Sequence, residues 1–129
     1  MKTIGLLVAT LVICNSAIAA DTDSGKAVFE RVCAACHLPS GEGIPGAFPP
    51  LAKSDYFRKA TPAQLVKILS NGLNGPVTVN GQTLSSAMPP PEISDEEAAA
   101  VLNYVSVALN SGKANFTTEQ IKKLKAAAK

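Results

Sequence analysis

Five consecutive residues carry most of the chain's chemistry. Cys33-Ala34-Ala35-Cys36-His37 places two of the three cysteines and the only histidine on one short stretch. Four chemistries use such a cluster. A disulfide between Cys33 and Cys36 would close a very small loop and stabilise little. A C-x-x-C redox pair usually opens a helix that follows a strand. Here the preceding "DTDSGKAVFERV" reads instead as helix, with Asp23 or Ser24 as cap and Ala27, Val28, Arg31 and Val32 continuing it. Zinc usually takes four ligands, and this cluster offers three with no second cluster to complete the set. The remaining chemistry is covalent haem attachment through C-x-x-C-H, in which both thiols add across the haem vinyl groups and the next residue offers its imidazole to the iron. One turn of helix carries the two sulfurs to adjacent edges of the porphyrin and aims the histidine at its centre. The order of residues therefore points to one haem c, held by Cys33 and Cys36, with His37 on the iron.

A second axial ligand cannot be histidine. Apart from Met1 the chain has one methionine, Met88, in "SSAMPPPE". A lone methionine often just fills a gap in a core. Three prolines at 89–91, however, keep the backbone extended and stiff, which suits the presentation of one side chain at a fixed point. Met88 is the expected distal ligand, and an open iron or a lysine are the alternatives. Histidine opposite methionine suits one-electron transfer, because a soft thioether favours Fe(II) and both axial positions are filled. A peroxidase-type enzyme or a gas-binding sensor needs a vacant distal position, and an enzyme also needs polar groups above it, for which the chain has no second histidine or obvious acid.

The elements that position these groups follow from export and pattern. Residues 1–20, "MKTIGLLVATLVICNSAIAA", open with Lys2, run apolar from Ile4 to Ile13 and end in small residues. This is the form of a secretory signal peptide cleaved after Ala19 or Ala20. An apolar core of about ten residues is too short to span a bilayer of roughly 30 Å, so no membrane span is expected. Cys14 is a poor lipid attachment point, since the bulky Ile13 precedes it. At 129 residues the chain has room for one domain, expected over 21–129 in the periplasm.

"ATPAQLVKILSNG" has Thr61 as cap, Pro62 at the first helical position, Gln64 completing a capping box, Leu65, Ile68 and Leu69 on one face, and Gly72 as stop. "VTVNGQTL" reads as a small hairpin around Asn80-Gly81, a flap leading to Met88. "ISDEEAAAVLNYVSVALNSG" offers Ser94 and Glu97 as a capping box, Val101, Leu102, Val105 and Leu109 as a buried stripe, and Gly112 as terminator. It is expected to be the longest helix. "PSGEGIPGAFPP" is a loop of turn formers. Aromatics are scarce and tryptophan is absent, so the core is modest and a haem would supply apolar volume.

Four segments in order, "GKAVFERVCAACH", "PGAFPPLAKSDY", "VTVNGQTLSSAMPP" and "SDEEAAAVLNYV", together resemble the class I c-type cytochromes over nearly the whole of 21–129. The likeness is to small cytochromes and to cytochrome domains that serve periplasmic dehydrogenases and reductases, copper nitrite reductases included. The resemblance implies an all-α fold of three to five helices around one haem, with His37 and Met88 as axial ligands. It implies that the first and last helices cross where Gly25 and Phe29 meet Tyr104. It also implies a proline carbonyl that holds the proximal imidazole, from either Pro49 or Pro50.

The formal charge of the full chain is +2. Lys2 would leave with the leader, and two haem propionates would take the protein below neutrality. Glu92, Asp95, Glu96 and Glu97 gather at the start of the late helix, where they favour the helix dipole or serve a docking partner. The stretch 113–129 carries five lysines against Glu119, and "FTTEQIKKLKAAAK" has Thr117 and Gln120 as a capping box with Phe116, Ile121 and Leu124 apolar. It is either an end-helix folded on the domain or a basic arm for an acidic partner or anionic lipid. Redox proteins are the expected partners and nucleic acid is not, while no motif specifies the donor or the acceptor.

Overall fold

The computed structural model describes residues 17–128, so the expected leader at 1–20 lies mostly outside the described residues. Helix α1 spans Ala17–Val28. Asp23 and Ser24 sit inside it rather than at its start, because Ala17–Ala20 are good helix formers that extend it upstream. The helix runs on through a π-turn, Phe29–Cys33, into α2, Ala34–His37. Short α3, Asp55–Lys59, was not foreseen; Ser54 caps it by accepting from Phe57 N–H. Helix α4, Pro62–Asn71, has the full Thr61/Gln64 capping box, Pro62 at its first position and Gly72 at its end with φ of 73°. Strands β1, Val77–Val79, and β2, Gln82–Leu84, pair antiparallel with Val77 opposite Leu84. Their turn residues Asn80 and Gly81 both have positive φ, as a two-residue hairpin turn of this hand requires. Helix α5, Asp95–Tyr104, starts at the Ser94/Glu97 capping box and continues into a second π-turn, Val105–Leu109. Helix α6 spans Thr118–Ala127.

Three expectations need correction here. The longest helical run is the first, since α1 alone has 12 residues against 10 for α5. The α5 run ends before Gly112: Ser111 takes the left-handed turn at φ 54°, and Gly112 donates its N–H to the Ser106 carbonyl at 2.8 Å. Gly112 is needed for closeness, because a Cβ there would lie 2.7 Å from Ser106 Oγ. At α6 the capping box is half made. Thr117 accepts from Gln120 N–H at 3.2 Å, while Gln120 Oε1 is buried without a partner.

Packing centres on α5, which is enclosed on nearly all sides: Ala98, Ala99, Ala100, Val101, Leu102, Asn103 and Val105 are all buried. Its three consecutive alanines let neighbours come close. On one side α1 crosses it so tightly that a Cβ on Gly25 would lie 2.1 Å from the Ala100 carbonyl oxygen and 2.8 Å from Tyr104 Cβ. Phe29, fully buried, meets Tyr104 with ring centroids 5.4 Å apart. On the other side α6 packs through fully buried Ile121, with Phe116 and Leu124, against Leu65, Val66, Ala98, Ala99 and Leu102. Asn103 ties the approach to α6 by donating to the Phe116 carbonyl at 2.8 Å and accepting from Phe116 N–H at 2.9 Å. The early acids serve local structure as well: Asp95 pairs with Lys125 at 2.7 Å, and Glu97 both caps Ser94 and pairs with Arg31. The hairpin buries Val77, Val79 and Leu84 against Tyr56 and Leu73. Asp55 and Asn80 clasp it to α3, Asp55 N–H donating to Asn80 Oδ1 at 2.9 Å and Asn80 N–H donating to Asp55 Oδ1 at 2.6 Å.

Two predictions follow from this packing. Gly25→Ala gains up to about 1 kcal/mol of helix propensity but forces α1 off the Ala100 carbonyl, so unfolding stability should fall by roughly 1–3 kcal/mol net of that gain. Denaturant titration of the holoprotein measures it, and an unchanged midpoint would mean that the two helices separate freely. For the clasp, the Asn80 N–H and then Lys59 hold the Asp55 carboxyl below the usual aspartate range. A depressed folded pKa adds stability that is present above the unfolded value of about 3.9 and lost as pH falls through the folded one. The stability difference between the protein and Asp55→Asn should therefore be present at neutral pH and shrink in acid below about pH 4; a gap constant from neutral to strongly acid pH would contradict it.

Candidate functional site

Between the two larger apolar clusters lies a cleft of about 230 Å³, partly open to solvent. Its walls are overwhelmingly apolar. Leu65 and Leu102 come from the α6 side of the core, Val101 and Val105 from the α1 side, and Val77 and Val79 from the hairpin. Cys33, Cys36, His37 and Met88 all line it. The structure thus brings together the four residues expected from the sequence to hold a haem, and among the described residues no lysine lines the cleft.

The π-turn ends on Cys33, and α2 carries Cys36 and His37. No disulfide joins the two cysteines, Cys33 being half-buried and Cys36 exposed. Burial, and then the neighbouring Cys36, push the Cys33 thiol up to about 11. A thiol-exchange site needs the opposite, a lowered pKa, so the redox-pair reading loses its chemical basis. Directly after His37 the helix is stopped by Leu38 at φ 62° and ψ 155°, a region that costs a non-glycine residue on the order of 1–3 kcal/mol.

His37 is 6% exposed, and burial holds its pKa below the ordinary value against the opposing effect of the Pro49 carbonyl. It is therefore a neutral imidazole at pH 7. Its Nδ1 lies 2.8 Å from the Pro49 carbonyl oxygen. A carbonyl only accepts, so Nδ1 carries the proton and Nε2 keeps its lone pair for a metal. Of the two prolines considered, Pro49 makes this bond. Its carbonyl is seated against Gly43, where a Cβ would lie 2.7 Å from that oxygen, and Gly43 N–H donates to the His37 carbonyl at 2.9 Å.

Met88 is held by its backbone. Leu73 N–H donates to the Met88 carbonyl at 2.9 Å and Met88 N–H donates to the Leu73 carbonyl at 2.8 Å. Leu73 follows Gly72, whose left-handed φ ends α4 and whose missing Cβ would otherwise sit 2.4 Å from the Met88 carbonyl oxygen and 3.1 Å from Pro90 Cδ. The proline run alone does not fix the loop; the pairing with Leu73 registers it. No local pattern in the sequence joins residue 73 to residue 88, since the two are linked only through the fold.

A family model described as "Cytochrome c" matches residues 22–108. The chain belongs to the cytochrome c family. Cytochrome c-552 of Thermus thermophilus is 39% identical over 103 residues, covering 73% of this chain and 79% of its relative. A fructose dehydrogenase cytochrome subunit from Gluconobacter japonicus is 28% identical, covering 89% of this chain but 24% of that subunit. The cytochrome c subunit of a quinone alcohol dehydrogenase from Gluconobacter oxydans is 30% identical, covering 80% of this chain and 22% of its own length. The protein is thus a class I c-type cytochrome, mostly helical with one small antiparallel sheet, and an electron-transfer protein rather than an enzyme. Its cofactor is covalently attached haem c. The cleft fits that group: apolar walls for the macrocycle, paired thiols at one edge, a neutral imidazole with a free lone pair, and a thioether on a registered loop. Helix α6 lies beyond the matched residues. Among the described residues no helix of the cytochrome is long and apolar enough to cross a membrane.

Gly72→Ala should disrupt the register of the Met88 loop, since both the backbone conformation and the space beside the Met88 carbonyl demand glycine. Amide hydrogen exchange at Leu73 and Met88 should accelerate by about tenfold or more, while exchange in α1 stays slow. Unchanged protection at both amides would show that the loop is set elsewhere.

Proposed function

We propose that the protein is a periplasmic monohaem cytochrome that carries one electron at a time between a respiratory or dehydrogenase donor and a terminal reductase or oxidase. Haem c, when bound, supplies the reversible Fe(II)/Fe(III) couple. Cys33 and Cys36 would hold it through their sulfurs, and His37 Nε2 and Met88 Sδ would supply the ligands to its iron. The observation that carries the reading is the convergence of these four side chains on one apolar cleft, with both proposed axial donors restrained by hydrogen bonds to backbone. His37, kept neutral by burial, needs no deprotonation to bind. Met88 adds a soft thioether that favours the reduced state and closes the site to substrates. The apolar walls exclude water and so favour the less charged reduced centre as well.

Residues 1–20 act in this reading as an export leader cleaved after Ala19 or Ala20, which places attachment in an oxidising compartment. The names of the two Gluconobacter relatives support a dehydrogenase as donor.

Two measurements test this reading. Haem should stay with the chain through acid-acetone extraction. Met88→Ala should keep that covalent haem yet lose the weak far-red absorption that marks a sulfur-to-iron bond, lower the potential, and let carbon monoxide bind the reduced protein quickly. Haem that extracts freely, or a variant with unchanged spectrum and potential, would overturn it.

A further inference from the structure

The α5 run ends on Asn110, which family and motif leave without a role. Its carboxamide makes three bonds. Oδ1 accepts from Ser54 N–H at 2.9 Å, and Nδ2 donates to the Leu51 carbonyl at 2.8 Å and to the Val105 carbonyl at 3.0 Å. Beside it Lys53 N–H donates to the Leu109 carbonyl at 2.8 Å, with Lys53 itself in the left-handed region at φ 50°. The gripped segment starts one residue after Pro49-Pro50. Leu51 is also held from its other side, because its N–H donates to the Gly41 carbonyl at 2.7 Å. Between Leu51 and the Pro49 carbonyl stands only Pro50, whose ring fixes φ. An anchor on Leu51 is therefore transmitted almost rigidly to the oxygen that faces His37 Nδ1.

We infer that Asn110 is a positioning residue for the electron-transfer site: through Leu51 and the stiff Pro49-Pro50 unit it fixes the carbonyl that accepts the His37 proton, and so sets how strongly the imidazole donates to iron. The inference rests on the axial role of His37 proposed above. Its direction is set by chemistry. A well-made bond from Nδ1–H raises the basicity of the ligating nitrogen and favours Fe(III), so loosening it raises the potential. Water entering a loosened cleft does the reverse, since exposure favours the more charged oxidised centre. The sign separates a specific effect from a general one.

Asn103 provides the control. It lies on the same helical run, is 1% exposed and makes paired bonds to Phe116, away from the 49–54 segment. The reduced holoprotein is compared with Asn110→Ala, Asn110→Asp and Asn103→Ala by potentiometry and by NMR of the His37 ring. Both Asn110 variants should speed exchange of the Nδ1 proton by about tenfold, the scale of one lost hydrogen bond, and Asn110→Ala should also raise the potential; the added carboxylate of Asn110→Asp itself favours Fe(III), so that variant is read by exchange alone. Asn103→Ala should unfold at lower denaturant while leaving potential and Nδ1 exchange as they were. Should Asn110→Ala fail to mature, Nδ1 exchange in Asn110→Asp decides, because its carboxylate keeps the acceptor for Ser54 and loses the donors to Leu51 and Val105. Unchanged exchange in both Asn110 variants, or an unchanged or lowered potential in Asn110→Ala, would overturn the role and leave Asn110 a structural staple. If the unsubstituted protein shows His37 ring resonances without the large shift of a ligand above a haem, the axial reading itself fails, and this inference with it.

Discussion

The contact on which the fold turns is the meeting of the Gly25 backbone with the carbonyl of Ala100. Two helices can approach this closely only where a side chain is missing, and the first helix has its glycine at that point. The approach fixes the angle and height of the whole run from α1 through the π-turn to α2, because nothing flexible intervenes between Gly25 and His37. Three turns of helix thus translate one backbone contact into the placement of Cys33, Cys36 and His37 on the cleft wall. The π-turn sits within that span, at the place where an extra residue per turn changes which face the following residues present. Phe29, fully buried inside the turn and packed at a tilt against Tyr104, pins it to α5.

Around this crossing the apolar core is divided rather than continuous. One cluster joins α1 to α5, another joins α4, α5 and α6, and a third sits under the hairpin. Leu65, Leu102, Val101, Val105, Val77 and Val79 belong to these clusters and also face the cleft. With no tryptophan and few aromatic rings, the side chains alone leave the middle of the molecule thinly filled. A flat apolar group in the cleft touches all three clusters at once. That makes cofactor binding part of the folding free energy, in the way that metal binding is for small metal-stapled domains. The surface ion pairs contribute little by comparison: Arg31 and Glu97 are 55% and 36% exposed, and such pairs are worth about 0–1 kcal/mol.

Much of this was legible in the sequence. Thr61, Pro62, Gln64 and Gly72 delimit α4 as local rules require, Asn80-Gly81 makes its hairpin turn, and Ser94 and Glu97 open α5. These succeed because caps and turns are decided by neighbours within about four residues. Position along the chain misled where flanking residues or a partner outside the local pattern decided. Asp23 and Ser24 looked like caps because they often are, but the alanines before them carry the helix past. Gly112 looked like a stop because glycine often is, yet the left-handed residue is Ser111 and the glycine serves the close approach to Ser106. The choice of Pro49 over Pro50 depends on the contacts of Gly43 and Leu51, which no local pattern specifies. Ala98-Ala99-Ala100 was the missed signal, since three small residues in sequence allow a helix to be covered on every side.

The two proposed ligands are restrained in the same way from opposite parts of the chain, and this bears on what the site can do. Loops are ordinarily the mobile parts of a domain. Here the Pro49 carbonyl is seated on Gly43 and braced through Leu51, and the Met88 loop is registered by Leu73 and closed in by Gly72. Each restraint is a hydrogen bond to backbone or a close packing contact, and apart from His37 itself, which burial keeps neutral, none involves a group that changes charge between pH 5 and 8. The donors are thus held alike whether or not the centre carries an extra electron. An electron carrier must exchange electrons without rebuilding its ligand set each time, and a neutral His37 that neither gains nor loses a proton adds no proton transfer to that exchange. The cost of this rigidity falls on the backbone, at Leu38, Lys53, Asn80 and Ser111, the non-glycine residues with positive φ among those described. Leu38 and Lys53 flank the two segments that bring His37 and Pro49 together, so strain is stored where the geometry of the site is set.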